Sequence, residues 1–414
     1  MKIDEARLRE LIPDAERLLF GDAIPAEYRS DALGRLKGTA DALIFPLSTE
    51  EVSGVLRYAH ENRVPVTPRG AGTNLVGSTV PLFGGTILDL SRMDRVLELD
   101  EDTMTVTVES GILLRDVQTY VERRGLFYPP DPGEKASSIG GNISTNAGGM
   151  RAVKYGVTRD YVRGLEVVLA DGTVMTVGGK QVKDASGLSL KHLLIGSEGT
   201  LAVITKCLLQ LLPKPETSVS VLVPYPDLST GIRSVLTILR ADANPTAVEF
   251  MERKVVALGE AFCGVREAGS YILLTFDGHR SEVEANAARV RELALQNGAL
   301  DYIALADPAQ AADAWRVRGA LVKAVEAVSE QEPVDIVVPI SHTADFIAYI
   351  NELERRSGVR MVSFGHAGDG NVHLCVVRGE RDEETWQREL HASMDAAYKT
   401  IYDPAADGAV MTRT

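Results

Sequence analysis

Two histidines seven residues apart, His366 and His373, are the first and last residues of the segment His-Ala-Gly-Asp-Gly-Asn-Val-His. Because glycine, aspartate and asparagine disfavour a helix here, we expect a turn between two strands, which lets both imidazoles converge. Such a pair beside an open position suits a divalent metal, namely zinc, manganese or iron. The alternative is two structural histidines with backbone partners, and position alone favours that interpretation.

Three glycine-rich segments in the first half of the chain are candidates for binding a phosphate-containing cofactor. The first reads Pro-Arg-Gly-Ala-Gly-Thr-Asn at 68–74, with Gly77 close behind, and follows a predicted strand. Glycines let backbone N–H groups converge on a phosphate, and Arg69, Thr73 and Asn74 add donors. The segment is neither a Rossmann fingerprint nor a Walker loop. By itself it fits an ordinary tight loop equally well.

The other two glycine-rich segments are a long one at 128–157 and a short one at 196–200. Residues 128–157 carry few large apolar side chains, so we expect them to wrap a flat, polar ligand rather than build a core. Gly-Ser-Glu-Gly-Thr at 196–200 is predicted to be a turn leading into an apolar strand at 201–205. On its own, that turn is typical of a plain connection between a helix and a strand.

In this order and spacing, the three segments resemble the FAD-binding domain of the vanillyl-alcohol oxidase and p-cresol methylhydroxylase superfamily, in particular its group of D-lactate dehydrogenases and glycolate oxidases. The resemblance implies FAD, held non-covalently because no His or Cys lies between Arg69 and Gly77. It places residues 69–74 and Gly77 at the pyrophosphate. The implied cofactor-binding residues are Pro68, Arg69, Gly70, Ala71, Gly72, Thr73, Asn74, Gly77, Asp131, Ser138, Gly140, Gly141, Asn142, Asn146, Gly149, Gly156, Glu198, Gly199 and Ile204.

The same family carries the histidine segment in its cap domain, where the histidines hold a divalent metal against a 2-hydroxy acid. The resemblance therefore favours the metal interpretation of His366 and His373. It also implies catalytic roles for Asn371 and for Arg318, which falls where the family places a carboxylate-binding arginine. The rigid fork of arginine suits two carboxylate oxygens. Arg316 stays an alternative, and both arginines are otherwise solvated helix charges.

The end of the chain departs from the family pattern. After its last helix the family carries Ser-Gly-Glu-His-Gly, whose Glu completes the metal site and whose His takes the hydroxyl proton of the substrate. Residues 403–414 contain neither Glu nor His. We therefore expect a truncated product, a lost reading frame or a second subunit that supplies these residues. Without them the rate is expected to fall by about 10²–10⁴, the usual effect of a general acid–base group.

The reaction implied by the resemblance is FAD-dependent oxidation of a D-2-hydroxy acid, of the D-lactate or glycolate class, to the 2-oxo acid. Electrons then pass to a quinone or a protein acceptor, such as an electron-transfer flavoprotein or an iron–sulfur subunit. One alternative is a non-catalytic or impaired FAD-binding subunit of a larger oxidase complex. Another is an aryl-alcohol or sugar oxidase that shares only the first half of the chain.

Composition narrows the class of protein. The chain has 414 residues, of which 45% are hydrophobic and 25% charged, so two or three folded domains are expected. The net charge of −14 opposes binding to nucleic acid or an anionic membrane. Its three cysteines, at 207, 263 and 375, form no C-x-x-C pair for a metal cluster. Because no apolar run approaches the length of a signal core or a membrane span, we expect a cytoplasmic protein without a transmembrane segment.

The elements that must position these residues predict an α+β fold. We expect an N-terminal helical segment at 1–37, then a two-subdomain FAD-binding domain of the p-cresol methylhydroxylase type at 38–215. An FAD-linked oxidase cap domain with an antiparallel sheet follows at 216–380, and a C-terminal helix at 381–414. Ser48 and Glu51 predict a capping box, alternation predicts a strand at 103–108, and two prolines near 213–215 predict the domain boundary. The predicted cap strands lie at 219–223, 271–276, 302–306, 335–340, 362–364 and 372–377, and its helices at 228–240, 281–296 and 310–328.

Overall fold

A computed structural model describes residues 3–257 and 268–401 of the chain. The chain divides into two compact units, the first formed by residues 1–149 and 156–214 and the second by residues 150–155 and 215–414. The short segment 150–155 joins the second unit, which the sequence does not predict. Cys263 and the residues 403–414 that depart from the family pattern lie outside the described residues.

The first unit combines short helices with two principal sheets. One is mixed, with strand order β1-β2-β4-β3 and parallel pairing of β2, β4 and β3, and the other is antiparallel, with order β5-β6-β10-β8-β9. Its elements, with α5 of the second unit given in chain order, are α1 (Glu5–Leu11), β1 (Leu18–Phe20), β2 (Ala42–Ile44), α2 (Thr49–Asn62), β3 (Val66–Arg69), β4 (Thr86–Asp89), β5 (Val96–Asp100), β6 (Thr105–Glu109), α3 (Leu114–Glu122), β7 (Leu126–Phe127), α4 (Ile139–Thr145), α5 (Ala152–Tyr155), α6 (Thr158–Tyr161), β8 (Val162–Val168), β9 (Val174–Gly178), α7 (Leu190–Leu194), β10 (Val203–Gln210) and β11 (Leu212–Pro213).

Several local predictions for this unit are confirmed. The helix α2 begins after Ser48, whose hydroxyl accepts the N–H of Glu51 at 3.3 Å. Only half of the predicted capping box forms, because the Glu51 carboxylate accepts from the N–H of Leu47 instead. The alternating segment forms β6, an interior strand between β5 and β10, and the turn at 196–200 leads into β10.

The second unit is a seven-stranded antiparallel sheet with order β15-β12-β14-β13-β17-β18-β16. Apolar cores cover both of its faces, one including α8, α10 and α13 and the other α9 and α12. This arrangement explains the near-continuous apolar runs of its central strands. Its elements after β11 are β12 (Thr217–Tyr225), α8 (Leu228–Arg240), β13 (Ala247–Glu252), α9 (Arg253–Val256), β14 (Ser270–Gly278), α10 (Arg280–Gln296), β15 (Ile303–Leu305), α11 (Pro308–Gly319), α12 (Leu321–Glu326), β16 (Gln331–Val337), α13 (Thr343–Ser357), β17 (Arg360–His366), β18 (Asn371–Val377) and α14 (Glu383–Ile401).

Three expectations need correction. The strand β13 is absent from the predicted set, and the helix predicted at 310–328 is two helices that meet at Ala320. The segment 128–157 is not a loop throughout, because it contains α4 and α5. Its residues Tyr128, Ile139 and Ile143 are fully buried, so it contributes to the core of the protein. Within the described residues, no helix is both long enough and apolar enough to cross a membrane.

Candidate active site

The glycine-rich loop after β3 presents unused backbone donors. Within the described part of the chain, the N–H groups of Gly72, Thr73 and Asn74 donate to no protein acceptor. Gly72 has a φ of +70°, a conformation that favours glycine. Convergent N–H groups in such a turn form an anion-binding concavity, so this loop fits the pyrophosphate of a dinucleotide cofactor.

Two of the three side chains expected to add donors to this loop, those of Arg69 and Asn74, have partners within the protein. The guanidinium of Arg69 donates to the carbonyl oxygens of Ser30 and Glu27, at 3.1 and 3.3 Å, and lies over the ring of Tyr28. The amide nitrogen of Asn74 donates to Thr79 Oγ1 at 2.7 Å. The side chains of Arg69 and Asn74 therefore support the conformation of the loop itself. The N–H of Gly77 is also satisfied, by the Asp31 carboxylate at 2.9 Å.

The segment that contains α4 packs closely against its neighbours. Ser138 caps α4, and its hydroxyl also accepts the N–H of Ala71 at 3.4 Å, which ties this segment to the glycine-rich loop. A Cβ on Gly70 would lie 2.2 Å from the Ser138 hydroxyl, and one on Gly140 would lie 2.6 Å from the Cβ of Ser110. Both glycines are therefore needed for close packing. The N–H of Gly141 donates to Ser138, so this end of α4 is largely satisfied by the protein.

The remaining predicted cofactor residues of the first unit have mainly structural contacts. Asn142 is buried, and Asn146 ends α4 with a φ of +51° while its side chain accepts the N–H of Arg159. Asp131 is buried and pairs with Lys135 at 2.7 Å. Among the others, Pro68 lies in β3 beside Gly199, Gly149 approaches the Asp131 carbonyl, and Gly156 approaches Asp160. Ile204 is buried in β10, whereas Glu198 is exposed.

Replacing Gly72 with valine is expected to release from the purified protein the FAD that the resemblance implies. A Cβ at this position would lie 2.2 Å from the buried Arg69 guanidinium, and a positive φ alone costs a side chain about 1–2 kcal/mol. The substituted loop must be forced back into this conformation to bind the pyrophosphate, so FAD binding should weaken about 5–30-fold, since about 1.4 kcal/mol is tenfold in affinity. The measurement is the flavin absorbance per protein after desalting. Gly125→Ala is the control, because its φ is +71° with nothing within 4 Å, and full flavin retention by both variants would contradict the prediction.

The histidine segment forms the expected hairpin of the second unit. Strands β17 and β18 pair antiparallel, with His366 opposite Asn371 and Phe364 opposite His373. The two histidines are therefore diagonal neighbours on one face of the sheet. Their Nε2 atoms lie 3.3 Å apart. The hairpin prediction is confirmed, and the two imidazoles converge.

Each histidine has a carboxylate on a neighbouring strand. Glu249 on β13 lies opposite His366, and Asp335 on β16 lies opposite His373. The Nδ1 atom of His366 is 2.7 Å from Glu249 Oε1, and Nδ1 of His373 is 3.1 Å from Asp335 Oδ1. A carboxylate accepts but does not donate, so the Glu249 contact favours the proton on Nδ1 of His366 and an unprotonated Nε2.

Arg318 joins this cluster and Arg316 does not. Arg318 is buried, and its Nε and Nη2 atoms lie 2.8 and 2.7 Å from Glu249 Oε2. Its guanidinium lies over the ring of Phe364, 5.0 Å from the centroid. Arg316 is exposed and pairs with Asp313 one turn earlier in α11. Of the two arginines weighed from the sequence, only Arg318 shares a carboxylate with His366.

Burial and charge set the protonation of the cluster. Burial disfavours charge on His366, but the Glu249 carboxylate offsets it and raises the pKa of His366. At His373 burial prevails over Asp335 and lowers the pKa. Burial also opposes ionisation of Glu249, yet His366 and Arg318 hold the pKa of that carboxyl below its usual range. Burial raises the pKa of Asp369, in the turn of the hairpin, to about 6.

The donor set of the two imidazoles fits a divalent ion. Two nitrogens bound to tetrahedral zinc at about 2.0–2.1 Å lie roughly 3.3–3.4 Å apart, which matches the spacing of the Nε2 atoms. Carboxylates at the far nitrogens are the usual supports of metal-binding histidines. Among the described residues, however, no group of three or more His, Cys, Asp or Glu side chains comes together in a way that could hold a metal.

Sequence reasoning missed Glu249 and Asp335. Glu249 is fully buried, in a strand whose every residue is buried. A lone acid within the apolar run Ala-Val-Glu-Phe-Met was the available signal, because a buried carboxylate is rare without a partner. Asp335 was within a predicted strand but carried no assigned role. The side-chain oxygen of Asn371, a predicted catalytic residue, is buried and accepts no hydrogen bond from the described residues.

These two units define a flavin-dependent oxidoreductase. Residues 40–178 match the FAD binding domain family, and residues 214–404 match the family of FAD linked oxidases, C-terminal domain. Together they cover most of the chain. The protein is therefore an FAD-linked oxidoreductase, as the resemblance of its glycine-rich segments predicted.

Similar proteins narrow the group. The chain is 41% identical to a D-lactate dehydrogenase of Anaerostipes hadrus, over 95% of this chain and 85% of that protein. It is 36% identical to the glycolate oxidase subunit GlcD of Bacillus subtilis (strain 168), over 92% and 81%. The chain belongs to the family of FAD-linked oxidases that contains these two proteins.

Solved structures confirm the predicted fold class. An alkyldihydroxyacetonephosphate synthase superposes with a TM-score of 0.79 at 18% identity, covering 96% of this chain and 80% of that one. A p-cresol methylhydroxylase with substrate bound superposes with a TM-score of 0.78 at 17% identity, covering 96% and 86%. At these identities the likeness concerns the fold alone, which is the α+β architecture predicted from the sequence.

Proposed function

We propose that this protein oxidises a D-2-hydroxy acid of the lactate or glycolate class to the 2-oxo acid, with non-covalent FAD as the oxidant. The names of its relatives support this substrate class. The observation that carries the proposal is the cluster on β13, β17 and β18. There His366 and Arg318 share one buried carboxylate, and Nε2 of His373 lies 3.3 Å from Nε2 of His366. An aryl alcohol would have no carboxylate for Arg318 to bind.

Arg318 is proposed to bind the substrate carboxylate. Its Nε donates to Glu249, whereas among the described residues Nη2 has no hydrogen-bond partner despite lying 2.7 Å from that carboxylate, and Nη1 donates to no acceptor. The edge of the guanidinium that contains Nη1 is therefore the one available to a ligand. A planar fork binds a carboxylate with two parallel hydrogen bonds, which also orients the carbon next to it.

The two imidazoles are proposed to bind the hydroxyl end of the substrate through a divalent ion. His366 and His373 would hold zinc, manganese or iron through their Nε2 atoms, and Asn371 Oδ1 offers a nearby acceptor in the same hairpin. When bound, FAD supplies hydride acceptance and the divalent ion supplies polarisation of the hydroxyl oxygen. Orientation of the substrate is what the residues of the chain contribute.

The open N–H groups of residues 72–74 are proposed to bind the FAD pyrophosphate. The other cofactor-binding residues predicted in the first unit would shape the pocket mainly through backbone packing, since most of their side chains have protein partners. For reoxidation we propose a protein or quinone acceptor, such as an electron-transfer flavoprotein or an iron–sulfur subunit. The name of the Bacillus subtilis relative, a subunit of glycolate oxidase, supports a protein partner.

An anaerobic titration of the FAD-loaded protein tests the proposed reaction. D-lactate, glycolate or D-2-hydroxyglutarate should bleach the flavin absorbance, and L-lactate should leave it unchanged. The 2-oxo acid should appear in equal amount to the reduced flavin. If none of these acids bleaches the flavin, with or without added Mn²⁺, the proposed substrate class is wrong.

A further inference from the structure

We infer that Glu249 is a positioning residue, which holds His366 in one tautomer and fixes the edge of Arg318 that a ligand can reach. This inference rests on the proposed function for its consequences in catalysis. Its structural content, the tautomer of His366, does not depend on the substrate. Glu249 lies on the central strand β13, directly opposite His366 in the sheet.

The two oxygens of one carboxylate serve two different residues. Oε1 of Glu249 is 2.7 Å from Nδ1 of His366, and Oε2 is 2.8 Å from Nε and 2.7 Å from Nη2 of Arg318. The Glu249 side chain is completely buried. No water can therefore replace either contact without a rearrangement of the strand.

The contact with His366 determines which imidazole nitrogen carries the proton. A carboxylate accepts but does not donate, so it favours the Nδ1–H form of a neutral imidazole. In that form the lone pair of Nε2 points toward His373, where the two Nε2 atoms are 3.3 Å apart. Loss of the carboxylate would free the proton to move to Nε2 and block that position.

The contact with Arg318 determines which guanidinium edge is free. Glu249 holds the edge that contains Nε, and the ring of Phe364 lies under the guanidinium plane. Arg318 is thereby fixed in orientation before a ligand arrives. Preorganised donors of this kind reduce the entropy lost on binding.

Stability alone does not account for a carboxylate at this position. Replacing a buried ion pair by apolar residues of similar volume is often neutral or stabilising. The neighbours of Glu249 in β13, Val248 and Phe250, are apolar and fully packed. Apolar residues in place of both Glu249 and Arg318 would therefore not be expected to lower stability, so the carboxylate is better explained by the two groups that it orients.

Glu252 provides a matched control within the same strand. It is also buried, and it lies three residues along β13, on the opposite face of the sheet. Its carboxylate accepts from the N–H and hydroxyl of Ser363 and from Asn351, each at 2.9 Å. It contacts neither imidazole. A Glu252 variant therefore measures the general effect of losing a buried carboxylate, and a Glu249 variant measures in addition the loss of its contacts with His366 and Arg318.

Glu249→Gln separates the two functions of the residue. Arginine can only donate, so the amide oxygen of the glutamine must face Arg318. Its NH₂ group then faces Nδ1 of His366, which can accept only if the proton moves to Nε2. We expect histidine-selective ¹⁵N NMR of the metal-free protein, recorded at a pH where the His366 shifts no longer change, to show Nδ1–H in the wild type and Nε2–H in Glu249→Gln. Glu252→Gln should retain Nδ1–H, and a His366→Ala spectrum assigns the resonance.

Flavin reduction kinetics give an independent measurement. In Glu249→Gln the rate at saturating substrate should fall about 10–100-fold, the usual effect of losing the support of a ligand, while the half-saturating concentration stays within about threefold. Glu249→Ala should change both, and Glu252→Gln neither. The positioning role is wrong if Glu249→Gln keeps the wild-type tautomer or if Glu252→Gln gives the same changes. If no hydroxy acid reduces the wild-type flavin, the proposed function fails, and the NMR comparison alone then decides the role of Glu249.

Discussion

Replacing Arg318 with lysine is expected to raise the concentration of D-2-hydroxy acid that half-saturates flavin reduction by about 10–100-fold. Hydrogen bonds to charged groups contribute about 1.5–3 kcal/mol each, and lysine cannot reproduce the two parallel bonds of a guanidinium. Lysine retains the positive charge beside the buried Glu249 carboxylate, so the fold should survive. The measurement is anaerobic stopped-flow reduction of the FAD-loaded protein over a range of substrate concentrations.

Arg316→Met is the control for this prediction. Arg316 is two residues away on the same helix, is exposed, and pairs only with Asp313 among the described residues. Exposed pairs of this kind contribute about 0–1 kcal/mol, so its loss should leave substrate saturation within about twofold. A large effect of Arg316→Met with little effect of Arg318→Lys would show that Arg316, and not Arg318, binds the substrate carboxylate. Arg318→Met is a poorer test, because an uncompensated buried Glu249 costs about 3–5 kcal/mol of stability.

The sequence predicted the position of the two histidines correctly because the residues that form the turn lie directly between them. The turn between the two histidines follows from glycine, aspartate and asparagine, which act within a few residues. The hairpin register then brings His366 and His373 to one face without any long-range contact. A short-range pattern was therefore enough to predict that the imidazoles converge.

The partners of those histidines could not be predicted in the same way. Glu249 lies 117 residues before His366 and meets it only through the pairing of β13 with β17. A buried acid in an apolar run also weakens the sequence signal for a strand, so β13 was missed altogether. Strand order in an antiparallel sheet with non-sequential neighbours depends on packing that a single sequence does not show.

For the glycine-rich segments, the sequence predicted an FAD-binding domain more reliably than it predicted the contacts of individual side chains. Arg69 looked like a phosphate donor because it stands among glycines, but Ser30 and Glu27 use its guanidinium from a segment 39 and 42 residues earlier. The helix α4 was missed because its glycines and asparagine have low helix propensity. Close packing, with Gly140 against Ser110, overrides that propensity.

Removing bound metal with a chelator is expected to slow flavin reduction of the FAD-loaded protein by about 10²–10³. Polarisation of a substrate oxygen by a metal ion contributes several kcal/mol to the transition state, and about 1.4 kcal/mol corresponds to tenfold in rate. Mn²⁺, Zn²⁺ or Fe²⁺ added back should restore the rate in the wild type. The same addition should fail in His373→Ala, because one of the two converging Nε2 atoms is gone.

His391→Ala is the control for loss of a histidine as such. His391 is exposed on α14, and its Nδ1 contacts the carbonyl of Gln387 in the same helix. This variant should respond to the chelator and to added metal as the wild type does. FAD content must stay equal in all three proteins, so that a change in rate reflects the histidine pair. If the chelated wild type reduces its flavin at the original rate, the imidazoles do not act through a metal.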